Sequence, residues 1–175
     1  IVSGISAIVF FWRELTCESP VINLRAFKDR NFAIGCGFAF VVGIGLYGAV
    51  YVIPLFLGRV SHYDSMEIGV VMMVTGMFQF VAAPMSGMLV RRFDPRIILG
   101  LGLSLFAVAL WLNSRLTADT AYWDLFLPQA LRGVALMFCF VPVNAIALGL
   151  LPPDQLKNAS GLYNLMRNLG GALGL

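Results

Sequence analysis

The stretch that most constrains this chain is Gly87-Met-Leu-Val-Arg-Arg-Phe-Asp-Pro-Arg-Ile-Ile-Leu99, where three arginines sit in a tight reversal between two long apolar runs. A charged hairpin this short cannot cross a bilayer, so the runs on either side of it must enter and leave by the same face. Asp94 followed by Pro95 reads as an N-cap and first helical residue, the carboxylate accepting free backbone N–H groups while the proline supplies a preset φ. A new span therefore starts there.

Composition extends the argument to the whole chain. Hydrophobic residues make up 59% of the 175, charged residues 12%, and the mean hydropathy is +0.86, against ~25% charge in soluble domains. The fold class is all-α, a polytopic bundle of transmembrane helices, with spans expected over 32–57, 67–90, 97–112, 125–151 and 159–175. Residues 1–12 read as the end of a preceding span, and the last span as truncated. A signal peptide is not expected, because the first run lacks a basic leader and a small-residue cleavage site. Residues 13–31 read as a linker with an interfacial helix, in which Ser19-Pro20 starts the helix and Val21, Leu24 and Phe27 share one face.

Several chemistries have no material to work with. Cys17, Cys36 and Cys139 are far apart, and the single histidine, His62, falls in a loop, so neither a metal site nor a cofactor is expected. The net charge of +3 is carried by the loops and calls for no nucleic-acid partner. The spans hold no paired carboxylates or nucleophile constellation, and no acidic residue lies deep in any of them, which argues against an enzyme.

The polar residues inside the spans are the candidate site. Gln79 needs a partner in lipid, either another helix or a wet cavity. Gln129, Arg132 and Asn144 lie in the 125–151 span. Arg132 either reaches back to the interface beside Trp123 or faces a cavity, because a charge at the bilayer centre costs at least ~2.5 kcal/mol. Asn164, Arg167 and Asn168 fall on one face of the last helix, where they line a cavity or, for Arg167, anchor the helix at the interface. Asp154 reads as the cap of that helix. Small residues mark packing seams: Gly35, Ala39 and Gly43 in the first full span, Gly100 with Ser104 in the third, then Gly133, Gly170 and Gly174. Asn158-Ala-Ser160 fits a glycosylation sequon but falls in a basic-side loop and is set aside.

Four stretches resemble the major facilitator superfamily. Gly87, Leu89, Arg92 and Arg96 fit its loop signature Gly-x-Leu-x-Asp-Arg-x-Gly-Arg-Arg, while Arg91 stands at the acidic position and Asp94 and Pro95 replace its second glycine and the next arginine. Gln129-Ala-Leu-Arg-Gly133 resembles the Arg-x-x-Gln-Gly signature with glutamine and arginine exchanged. Pro20-Val-Ile-Asn-Leu-Arg-Ala-Phe-Lys-Asp-Arg-Asn-Phe32 and Ala159-Ser-Gly-Leu-Tyr-Asn-Leu-Met-Arg-Asn-Leu-Gly-Gly-Ala-Leu-Gly174 resemble segments of the fourteen-span drug:proton antiporters, the EmrB/QacA-like branch. The resemblance implies part of the C-terminal half, from the end of helix 8 to the start of helix 13. It further implies export of small amphipathic or drug-like compounds by proton antiport with alternating access. The implied setting is the bacterial inner membrane, and the implied partners are the lipid bilayer, the N-terminal half of the same chain, a small-molecule substrate with protons, and a periplasmic adaptor where one is encoded nearby. Proton coupling then depends on residues outside this stretch. The alternative from the residues alone is a non-transporting membrane scaffold or assembly subunit.

Orientation follows from the basic residues. Arg13, Arg25, Lys28, Arg30, Arg91, Arg92, Arg96 and Lys157 fall in alternate loops, against Arg59 and Arg115 in the others, so the first set is expected in the cytoplasm.

Overall fold

The computed structural model of the chain describes residues 29–117, 122–149 and 153–175, with side chains from residue 159 onward in the last segment. The expected span over 1–12, most of the linker with its Pro20 helix, Cys17, and the side chains of Asp154, Lys157 and Asn158 lie outside the described residues. Five helices follow one another: α1 Arg30–Arg59, α2 Ser65–Arg92, α3 Pro95–Asn113, α4 Tyr122–Leu148 and α5 Pro153–Gly174. The first four are long and apolar enough to cross a membrane.

Helices α1, α2 and α3 each start ahead of their apolar stretch on a polar cap. Asp29 caps α1 by accepting from the N–H groups of Asn31 (2.8 Å) and Phe32 (3.3 Å). A capping box opens α2: the Asp64 carboxylate accepts from the first-turn backbone, and the Asp64 N–H donates to Glu67 Oε2 at 2.9 Å. Asp94 Oδ1 accepts from Arg96 N at 2.9 Å with Pro95 at the first helical position, so α3 starts where Asp-Pro places it. Helix α4 begins at Tyr122 and ends at Leu148, short of the expected 151, ahead of Gly149 and the Pro152-Pro153 pair. Helix α5 begins at Pro153, so Asp154 lies within its first turn and not ahead of it.

The packing order departs from the chain order. Helix α4 lies against α2, α3 and, over a smaller area, α1, while α5 packs along α1 and barely touches α4, its neighbour in sequence. The main core joins Phe32, Cys36 and Ala39 of α1 to Ala135, Cys139 and Val143 of α4, with Leu162 and Tyr163 of α5 closing one side. A second cluster gathers Ile53, Leu57, Val71 and Leu125 toward the other end. Large apolar side chains such as Phe80, Ile97 and Leu173 cover the outside, as lipid-facing surfaces require.

Glycines set the closest approaches. A Cβ on Gly170 would meet the Phe40 carbonyl, one on Gly174 the Ile44 carbonyl, and one on Gly43 the Arg167 carbonyl, so α1 and α5 touch backbone to backbone. A Cβ on Gly35 would stand 2.7 Å from Ala147 Cβ of α4. Gly100 faces open space and Ser104 Oγ instead donates to the Gly100 carbonyl on the same helix at 2.9 Å. The Gly100–Ser104 pair is therefore not a seam among the described residues.

Candidate transport site

A buried charged cluster is built where α2 and α4 cross. Gly133 lets the crossing close: a Cβ there would stand 2.5 Å from the Thr75 carbonyl and 3.3 Å from the Gln79 nitrogen. Gln129 and Arg132, one turn apart on the same face of α4, project into this contact and are 0% and 1% exposed, with Thr75 at 5%. Thr75 Oγ1 donates to Gln129 Oε1 at 3.1 Å and accepts from Arg132 Nη2 at 3.2 Å. Gln129 Nε2 donates onward to Asn113 Oδ1 of α3 at 3.0 Å, and Asn113 Nδ2 donates to the Ala109 carbonyl at 2.7 Å. Arg132 Nη2 also lies 3.9 Å from Met72 Sδ. Its Nε and Nη1 are buried without a partner. The guanidinium is thus held against α2 and is not extended to the interface beside Trp123.

Asn113 marks the edge of an apolar cleft of about 300 Å³ between α1 and α3, lined also by Val52, Phe56 and Leu110. The chain Asn113, Gln129, Thr75, Arg132 runs from this cleft into the α2–α4 contact. Of these four, Gln129 and Arg132 stand out in the sequence; Thr75 and Asn113 do not, because a hydroxyl or amide can be satisfied on its own helix. Ser86, fully buried, likewise ties α2 to α4 by donating to the Met137 carbonyl at 3.1 Å. Gln79 is half-buried beside Gly133, outside this hydrogen-bonded chain.

The remaining candidates form a second group. Phe140 lies eight residues beyond Arg132, ~12 Å along α4, and the Arg167 guanidinium of α5 sits over its ring at 4.9 Å. Arg167 Nη2 donates to Asn164 Oδ1 at 2.9 Å, while its Nε is buried without a partner. Asn168 is exposed and accepts from the Tyr47 hydroxyl at 3.1 Å. Asn144 and Asn164 turn their Nδ2 groups to carbonyls four residues back, Phe140 at 2.7 Å and Ser160 at 3.0 Å. Asn144 thereby satisfies its amide on its own helix and stands apart from Arg132. At the basic end, Arg91, Arg92, Asp94 and Arg96 are exposed, and Arg96 Nη2 reaches Asn31 Oδ1 at 3.5 Å, joining the start of α3 to the start of α1.

An all-helical bundle with apolar outer faces, a basic hairpin between two spans and a buried polar cluster defines a multi-pass membrane protein. Residues 1–175 match the profile of the Major Facilitator Superfamily, and the chain belongs to that family. It is 43% identical over 171 residues to the colistin resistance protein EmrB of Acinetobacter baumannii, covering 98% of this chain and 33% of that protein. It is 31% identical over 162 residues to the multidrug export protein EmrB of Haemophilus influenzae, covering 92% and 32%. It is also 25% identical over 174 residues to the lincomycin resistance protein LmrB of Listeria monocytogenes, covering 99% and 37%. The chain thus spans about a third of the length of the curated relatives it matches.

Proposed function

We propose that this chain is part of an exporter of small amphipathic, drug-like compounds, driven by proton antiport across the bacterial inner membrane. The observation that carries the reading is the Thr75–Gln129–Arg132 cluster. A guanidinium buried in a span with two N–H-bearing nitrogens left over is costly, and a passive scaffold gains nothing from it, whereas a transporter can use it when its helices rearrange. The names of the relatives, for colistin resistance, multidrug export and lincomycin resistance, supply the compound class. Alternating access would move this group of helices against the rest of the protein about a central site, with Gln79, Asn144 and the Asn164–Arg167–Asn168 face as further cavity-lining residues. Protons are handled by groups elsewhere in the protein, because every acidic residue described here stands at a helix start. The loop carrying Arg91, Arg92 and Arg96 faces the cytoplasm in this reading, and a periplasmic adaptor is a fitting partner for such a pump.

The test uses the full-length protein, expressed in a drug-hypersusceptible bacterium. Expected are a raised inhibitory concentration for amphipathic drugs and lowered drug accumulation, the latter reversed when the proton gradient is collapsed. Unchanged susceptibility with confirmed insertion would sink the exporter reading and favour a scaffold. Export that persists without the gradient would remove the antiport mechanism alone.

A further inference from the structure

The hydrogen-bonding capacity of the buried cluster is unbalanced in one direction. The Thr75 hydroxyl proton is given to Gln129, one Gln129 amide proton goes to Asn113, and the Gln129 carbonyl is occupied. What remains free is a surplus of donors, Nε and Nη1 of Arg132, on a side chain 1% exposed. The charge is unbalanced as well. The acidic residues described, Asp29, Asp64, Glu67, Asp94 and Asp124, stand at helix starts, and the side chains that accept from the guanidinium, Thr75 and Met72, are neutral. The missing complement must offer acceptors only and carry one negative charge. An ionised carboxylate meets both demands and matches a planar guanidinium.

We propose that Arg132 is the receptor for a carboxylate that enters the α2–α4 contact when the two helices part at the Thr75–Gly133 crossing. That carboxylate belongs either to the transported compound, in which case the inference rests on the exporter reading above, or to an acidic side chain elsewhere in the same protein. In the first case Arg132 makes the exporter prefer amphipathic acids over their neutral counterparts. In the second it pairs two parts of the protein in one conformation and releases them in another.

Two probes with the same apolar tail separate these sources: 4-butylbenzoate and 4-butylbenzamide, bound to the purified full-length protein in lipid nanodiscs near neutral pH. If the compound supplies the carboxylate, wild type binds the benzoate about tenfold or more tightly than the benzamide, as one buried charge-assisted contact implies. In Arg132→Gln that ratio falls to about one, through loss of benzoate affinity. If the protein supplies it, wild type shows no preference, Arg132→Gln lowers the thermal midpoint, and neutralising one intramembrane acidic residue recovers it. A preference retained in Arg132→Gln overturns the proposal. So does a wild type without preference whose Arg132→Met variant is as stable as the parent, or whose Arg132→Gln defect no acidic substitution relieves. Failure of drug export in cells would remove the exporter reading while leaving these binding results to decide the role of Arg132.

Discussion

Thr75 is a single hydroxyl that serves two partners, and its contribution can be isolated. Thr75→Val keeps the shape and deletes both contacts, leaving the Gln129 carbonyl and one more Arg132 N–H unmatched. The expected loss is about 0.6–1.7 kcal/mol, in line with interhelical hydrogen bonds measured in membrane proteins, read as a lower midpoint in thermal unfolding of the detergent-solubilised full-length protein. No loss would mean that the hydroxyl is incidental to the cluster. Glycines offer the complementary experiment. Gly170→Leu drives a side chain into the Phe40 carbonyl of α1 and should destabilise by about 1–3 kcal/mol through overpacking, whereas Gly37→Ala, with nothing within 4 Å, should not destabilise. Equal effects of the two would argue against the α1–α5 seam. Arg132 and Gln129 were legible in the sequence because charge and amide are rare in an apolar run. Asn144 and Asn164 share that rarity, yet each spends its donors on its own helix, a local solution that spacing alone does not distinguish from a partner across the bundle.

Among the elements, helix starts are easier to read than helix ends. Asp94-Pro95 announces α3 because both residues act locally on the first turn, and the same local logic governs the Asp64-x-x-Glu67 capping box that opens α2. Where α4 ends is decided by a glycine and two prolines beyond the apolar run, which a hydrophobic window overshoots. Between α2 and α3, Arg91 and Arg92 lie exposed at the end of α2, well placed as an anchor that keeps this hairpin on one side. Replacing both with glutamate reverses the sign of that anchor and should lower the fraction of correctly inserted full-length protein, measured by protease protection of inverted and right-side-out vesicles. Unaltered protection in both vesicle types would show that the hairpin is held by helix packing and not by charge.

At the level of the whole molecule, the bundle could be expected from hydropathy, but its pairing order could not. Four-residue glycine spacing says that a helix has a close neighbour and does not say which one. Orientation can be checked directly in a cysteine-free background. Met66→Cys, 77% exposed at the start of α2, and Phe93→Cys, 60% exposed in the basic hairpin, lie at opposite ends of one helix. An impermeant thiol reagent applied to intact cells should label the first and spare the second. The reverse pattern would invert the topology.

The pairing of α1 with α5 also has a consequence in time. Tyr47 and its partner Asn168 are 121 residues apart in the chain, so a ribosome adding ~5–20 residues per second needs about 6–24 s to deliver the second after the first. For that interval the glycine face of α1 sits in the bilayer with its groove unfilled, while α2, α3 and α4 are already being threaded in beside it. Nascent chains arrested before α5 emerges should therefore keep this face open to photo-crosslinking from a probe at Phe40, to lipid or to insertion machinery. Chains arrested after residue 175 has cleared the ribosome and entered the membrane should crosslink to α5 instead. Equal capture of outside molecules at both lengths would mean that the face is never meant for α5. On this account α1 is most vulnerable to membrane proteolysis in that interval, when α2, α3 and α4 are inserted and its glycine face still waits for α5.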